Sequence, residues 1–304
     1  MQKSEKKRIC KSIMVSGANG FTGKFVCTEL IKRGINFSAI LRPGTDPSWM
    51  VSNNISFFYA NLNNVIELSN VLEDCKCLIN LVSIGFGAAD SIIEACEKLK
   101  LNRVIFVSST SIFTNLNAKS KNIRIKAEKS IKKSSLNWTI LRPTMIYGNS
   151  NDRNMIKLIR WIDKYPILPI FGKGNYLQQP VYVNDLAWLI VEIINNKNSY
   201  MEIFNVSGEK PITFKEVINC ISKGLNKKII KIFLPYKFFA GLLCFLEKFK
   251  INLPIKSEQI LRINENKTFS HKKAKDLFSF NPMSFEKGIN IEINEYKNLD
   301  LINE

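Results

Sequence analysis

Apolar positions in the first half of the chain follow two alternating rhythms. Short, nearly continuous runs occupy Ser12–Val15, Phe37–Leu41, Ile55–Tyr59, Cys77–Val82, Arg103–Val107 and Trp138–Leu141. Between them lie longer stretches with helical periodicity: Gly23–Arg33, Val65–Leu72, Ala88–Leu99 and Lys119–Ser134. A short continuous run suits a strand covered on both faces, and a 3.6-residue period suits a helix laid against it. Their alternation predicts an α/β fold with a doubly wound parallel sheet and crossover helices.

After Pro143 the alternation breaks. Helical periods remain at Met155–Lys164, Asp185–Asn195 and Thr213–Leu225, with one short strand at Ile203–Val206. This pattern predicts a nucleotide-binding domain over residues 1–145, with later segments contributing to its sheet. A smaller C-terminal mixed α/β substrate lobe over 146–304 packs on it as one compact unit. The segment Pro235–Phe249 is an apolar helix flanked by lysines. It could lie on a membrane surface, but a helix apolar on most sides is expected to be buried.

The candidate chemistry begins at Ser16–Gly23, SGANGFTG, between the first strand and the first helix. Gly17, Gly20 and Gly23 form a GxxGxxG spacing. In a strand–turn–helix setting such glycines permit a tight bend, close backbone approach to a pyrophosphate and close helix–strand packing. The helix start then offers free N–H groups to the anion. Gly17, Asn19, Gly20, Phe21, Thr22 and Gly23 are therefore the candidate dinucleotide-binding residues, and the sheet reads as Rossmann-type. The second strand ends in Arg42, with no acid before Asp46. An acid there grips a ribose 2′-hydroxyl and an arginine accommodates a 2′-phosphate, so NADP(H) is favoured over NAD(H).

Charge and cysteine content alter this picture little. The formal net charge of +18 comes from lysines spread along 304 residues rich in Lys, Asn and Ile, without aromatic interleaving. Nucleic acid is thus not the expected partner, while peripheral membrane contact stays open. The seven cysteines are scattered and odd in number, which points to reduced thiols in a cytoplasmic protein. Cys75 and Cys77 lack the further ligands of a zinc site, and the sole histidine, His271, lies far in sequence from every motif, so no metal is expected. The N-terminus lacks a signal-peptide pattern, and no apolar run is long enough for a transmembrane helix.

Five stretches together resemble the extended and atypical short-chain dehydrogenases/reductases, the group of nucleotide-sugar epimerases and dehydratases. They are SGANGFTG at Ser16, VIFVSSTSIF at Val104, RIKAEKSI at Arg124, LRPTMIYG at Leu141 and LQQPVYVNDLA at Leu177. The chain is more distantly similar to the complex I accessory subunit that keeps this fold with bound NADPH. The resemblance implies an NADP-dependent reductase, epimerase or dehydratase acting on a nucleotide-sugar or related small molecule, often as a homodimer. It assigns Ser109 to the substrate hydroxyl or carbonyl, Lys126 to the nicotinamide ribose, and Ser83 and Pro143 to backbone positions near the cofactor. Asn122 stands where the family has its proton-transferring tyrosine. Asn cannot relay a proton, so Tyr147 enters as a replacement phenol, and a non-catalytic NADP(H)-binding assembly protein is the alternative reading. Asp185 is expected as the N-cap of the helix that follows it.

Overall fold

The computed structural model describes residues 12–116, 118–152, 154–249 and 256–302. In chain order the first half runs β1 (Ile13–Ser16), α1 (Phe21–Lys32), β2 (Ser38–Leu41), α2 (Ser48–Ser52), β3 (Ser56–Tyr59) and α3 (Val65–Leu72). It continues with β4 (Cys77–Asn80), α4 (Ala89–Lys98), β5 (Arg103–Val107), α5 (Lys119–Lys133) and β6 (Asn137–Pro143). The second half opens with β7 (Ile146–Tyr147), α6 (Met155–Lys164), β8 (Ile167–Phe171), β9 (Leu177–Gln178), β10 (Val181–Tyr182), α7 (Val183–Glu192) and β11 (Glu202–Val206). It closes with β12 (Ile212–Thr213), α8 (Phe214–Gly224), β13 (Ile230–Leu234), α9 (Tyr236–Lys248), α10 (Ser257–Ile263), α11 (Lys272–Phe278) and α12 (Phe285–Asn298).

These elements form two compact units interleaved along the chain. The first comprises residues up to Ser109, Lys119–Arg142 and Ala187–Phe204. The second comprises Thr110–Ala118, Pro143–Leu186 and the chain from Asn205 on. The chain passes into the second unit at Pro143, returns to the first over Ala187–Phe204 and leaves it again at Asn205.

The first unit is built on a seven-stranded sheet in the order β11-β6-β5-β4-β1-β2-β3. Pairings from β6 through β5, β4, β1 and β2 to β3 are all parallel. The order reverses between β1 and β4, where ligands bind in sheets of this kind. All four residues of β1, β2 and β4 are buried, as expected of strands covered on both faces, whereas edge strand β3 is half-buried to exposed. Its core gathers Met14, Ile40, Leu78, Ile92, Phe106, Ile131 and Ile140. Helix starts are explained locally. Asn64 accepts from the N–H groups of Ile66 and Glu67 to open α3, and Thr213 with Glu216 closes a capping box on α8.

The second unit has its own core of Ile159, Ile170, Ile218, Ile221, Ile289 and Ile293. Three two-stranded pairs frame it, β7 with β10, β9 with β12, and β8 with β13. Its last helix, α12, buries Phe285, Ile289, Ile293 and Tyr296 along one face. The helix over 236–248 departs from the sequence expectation. Only Ala240 of α9 is buried, so this apolar helix is not a core element.

Candidate functional site

In the first unit the glycine turn takes the conformation its spacing demands. Gly17 has φ +73°, and a Cβ there would sit 3.1 Å from Val82, directly after β4. Gly23, on the first turn of α1, has no room at all: a Cβ would lie 2.1 Å from the Gly17 carbonyl oxygen and 2.6 Å from that of Ala18. The Gly20 N–H closes the turn onto the Gly17 carbonyl at 3.0 Å. Gly20 then stands at the helix N-cap with no side-chain cap, and the first turn of α1 holds no acid. Backbone N–H groups of Phe21, Thr22 and Gly23 thus begin a helix without a competing carboxylate, which suits an anion.

Neighbouring loops converge on this turn. The Asn19 amide donates to the Asp46 carbonyl at 3.0 Å, tying the turn to the loop after β2. Arg42, the first residue of that loop, is exposed. Past β4, Ser83 accepts from the N–H of Gly85 at 3.2 Å and from the Arg124 guanidinium at 3.3 Å. Gly85 lets that guanidinium close in, since a Cβ would stand 3.0 Å from it. The loop after β4 is thereby linked to α5 beside Lys126.

Helix α5 carries Asn122 and Lys126 four residues apart, on one face, and both side chains are exposed. Its opposite side is anchored by Glu128, which is buried. Glu128 accepts from Ser108 Oγ at 2.7 Å and from Arg142 Nε at 3.0 Å, with Arg142 Nη2 closing a second link. This clamp joins α5 to the ends of β5 and β6. It fixes the helix on which Lys126 is presented, and it sits next to Ser109, which is half-buried. Glu128 and Arg124 were not singled out from the sequence. Their signal is the polar residue placed two before and two after Lys126, legible only once the helix face is known.

The second unit places the remaining candidates. Pro143 is buried, and its carbonyl accepts from Thr110 Oγ1 at 3.2 Å. Tyr147 is not available as a phenolic proton relay. Its ring is wholly buried, 5.1 Å from Phe285 and 5.6 Å from Tyr182 between centroids. Its hydroxyl has no hydrogen-bond partner among the described residues and abuts Gly288, where a Cβ would stand 2.2 Å away. Burial, together with the charges of Asp185 and Glu292, holds the phenol protonated far above its ordinary range. Asp185 is also reassigned: α7 begins two residues earlier, and Asp185 accepts the Met283 N–H at 2.8 Å, tethering the segment that leads into α12. Burial lifts its pKa to about 6.

A concavity of about 620 Å³ opens in this unit, lined by Gln179, Phe269, His271, Lys272 and Lys275 among others. Gln179 shapes it, accepting from the Phe269 N–H at 3.0 Å and donating to the Gly208 carbonyl at 2.8 Å. Phe113 stacks on Phe269 at 5.3 Å. His271 lies 2.9 Å from Ser207 Oγ, and burial with nearby Lys275 lowers its pKa, so the ring is neutral at physiological pH. Distance along the chain hid its place beside Gln179.

A family model described as NAD(P)H-binding matches residues 17–167, and one for the 3-beta hydroxysteroid dehydrogenase/isomerase family matches residues 113–234. A chloroplast stem-loop binding protein of 41 kDa from Arabidopsis thaliana is 25% identical over 241 residues, 70% of this chain and 63% of that protein. A mitochondrial NADH dehydrogenase 1 alpha subcomplex subunit 9 from the same plant is 23% identical over 278 residues, 83% of this chain and 67% of that one. The chain thus spans 63% of the length of the first of these relatives and 67% of the second. A UDP-glucose 4-epimerase from Thermotoga maritima, solved with UDP-glucose, shares the fold with a TM-score of 0.74 at 15% identity, covering 94% of this chain and 99% of that one. The NAD(P)H-binding model begins at Gly17, the first glycine of the turn.

Proposed function

The chain belongs to the extended short-chain dehydrogenase/reductase superfamily, and on that premise we propose that it binds NADP(H) in preference to NAD(H) and serves as a reductase, epimerase or dehydratase for a nucleotide-sugar or related small molecule. The observation that carries this reading is the glycine turn meeting the loop after β4 where the sheet order reverses, with Arg42 rather than an acid at the end of β2. The residues present fit the cofactor. Amides of Phe21, Thr22 and Gly23 take the pyrophosphate, and Arg42 takes the 2′-phosphate through charge-assisted hydrogen bonds. Lys126 holds the nicotinamide ribose, while Ser83 and Pro143 border the ring. Ser109 donates to the substrate oxygen at the reacting carbon. When bound, the nicotinamide supplies the hydride donor or acceptor.

A titration of cofactor fluorescence with NADPH and NADH tests the binding half. The wild type is expected to prefer NADPH, and Arg42→Ala to weaken NADPH by roughly tenfold to a hundredfold, the worth of one charge-assisted contact, with NADH unchanged. Equal affinity for both nucleotides in the wild type would remove Arg42 from the site.

Asn122 favours a second reading, a non-catalytic protein that retains NADP(H) in an assembly, because a neutral amide neither takes nor gives the proton that accompanies hydride transfer. Asn122→Tyr puts a phenol four residues before Lys126, on the same exposed face of α5. Oxidation of NADPH by a panel of UDP-ketosugars, whose carbonyl accepts the hydride while the phenol gives the proton, is expected to rise by about a hundredfold, the low end of a general-acid contribution. No gain, with a silent wild type, would favour the assembly role.

A further inference from the structure

We propose that the second unit docks on an anionic bilayer through α9, with Phe238, Leu242, Phe245 and Phe249 entering the headgroup boundary. These four side chains are 67%, 42%, 57% and 63% exposed. At about 100° per residue they fall within a stripe about 60° wide, so one side of the helix is apolar and open to solvent along its whole length. The other side holds the helix to the unit. Ala240 is buried, Phe239 packs edge-on against Phe171 at 5.6 Å, and Glu247 accepts from the Ser257 N–H and hydroxyl at 2.7 and 2.8 Å. The stripe is therefore presented on a fixed support. Strand β13, just before it, exposes Ile230, Ile232 and Phe233 at 64%, 44% and 48%.

Charge selects the occupant. From Lys227 to Lys256 the sequence holds seven lysines and one acid, Glu247. That carboxylate keeps its charge, but it accepts from Ser257 on the side of the helix turned away from the apolar stripe. Lys237 and Lys248 are exposed and sit on one flank of the apolar stripe. An apolar stripe bordered by cations suits a surface of acidic headgroups over acyl chains. Two copies of this segment facing each other would set lysines against lysines, which disfavours self-association as the cover. At 13 residues, about 20 Å, the helix is too short to cross a bilayer and lies along its plane. Among the described residues no helix is long and apolar enough to span a membrane.

Co-sedimentation of the full chain with phosphatidylcholine vesicles, with and without phosphatidylglycerol, tests this directly. Binding is expected only to vesicles containing phosphatidylglycerol and to weaken as salt rises. Phe238→Asp with Phe245→Asp should lower vesicle affinity at least roughly tenfold, because each removes an aromatic that would enter the bilayer and adds a repelled charge. Lys237→Glu with Lys248→Glu should do the same. Both pairs are solvent-exposed, so melting temperatures should match the wild type, and Phe238→Asp alone serves if the double variant does not. Wild-type protein left in the supernatant, or bound equally well after the phenylalanine substitutions, would overturn the proposal. So would a concentration-dependent dimer in analytical ultracentrifugation that the same substitutions dissolve.

Discussion

Gly23→Ala is expected to abolish measurable NADPH binding, with affinity falling by roughly a hundredfold or more. The added Cβ would stand 2.1 Å from one carbonyl oxygen and 2.6 Å from another, and both belong to the backbone of the turn, which has no flexible end to yield. Either the first turn of α1 swings off β1 or the turn after β1 opens. Both outcomes move the helix-start N–H groups away from where a pyrophosphate would sit. Overpacking of this kind costs about 1–3 kcal/mol of stability, so a modest drop in melting temperature should accompany the loss. Gly20→Ala is the graded comparison. Its Cβ would meet only the Gly17 carbonyl, at 3.1 Å, and a weaker effect is expected. Undiminished NADPH affinity in Gly23→Ala would mean that the phosphates are held elsewhere.

The second large effect concerns stability. Arg103→Met should lower the unfolding free energy by about 3–5 kcal/mol, seen as a reduced urea midpoint with an unchanged slope. The Arg103 side chain is 2% exposed at the start of β5, and its guanidinium donates to the carbonyls of Ile193 and Ile194 at 3.1 and 3.2 Å. It also donates to the Asn137 carbonyl at 2.9 Å and to Ser199 Oγ at 2.8 Å, and it lies over the Tyr200 ring at 4.7 Å. Burial lowers its pKa to about 10, which still leaves it charged near neutral pH. Ile193 and Ile194 follow directly on α7, so Arg103 satisfies carbonyls at a helix C-terminus where a cation is favoured. Removing the fork takes a donor from the Ile194 and Asn137 carbonyls and from Ser199 Oγ, whereas the Ile193 carbonyl keeps the Ser199 hydroxyl at 3.1 Å. Arg103→Lys should recover only part of the loss, because one ammonium lacks the planar geometry that spans these acceptors. An unfolding free energy within about 1 kcal/mol of wild type would show that water replaces the side chain there.

What the sequence determined by itself is what depends on near neighbours. The parallel strands from β1 to β6 and the helices α1, α3, α4 and α5 between them follow from local periodicity, whereas the short α2 does not. The glycine turn follows from spacing and from its position between a strand and a helix, since Gly17 needs φ +73° and Gly23 needs contact distance. Arg42 at the end of β2 needed no tertiary information to be noticed. Strand order, by contrast, is set by which buried faces meet. The return of residues 187–204 to the first unit, fastened by Arg103, joins segments about ninety positions apart.

Tyr147 and α9 show the same limit from opposite sides. An aromatic after a strand can equally line a site or fill a core. Only the packing of Phe285, Tyr182 and Gly288 around Tyr147 made it core. A helix rich in phenylalanine and leucine reads as buried by composition, yet burial requires a partner surface. Among the described residues, β8 and α10 pack on one side of α9, opposite its exposed stripe. Periodicity reports that an apolar face exists, whereas tertiary structure decides what, if anything, covers it.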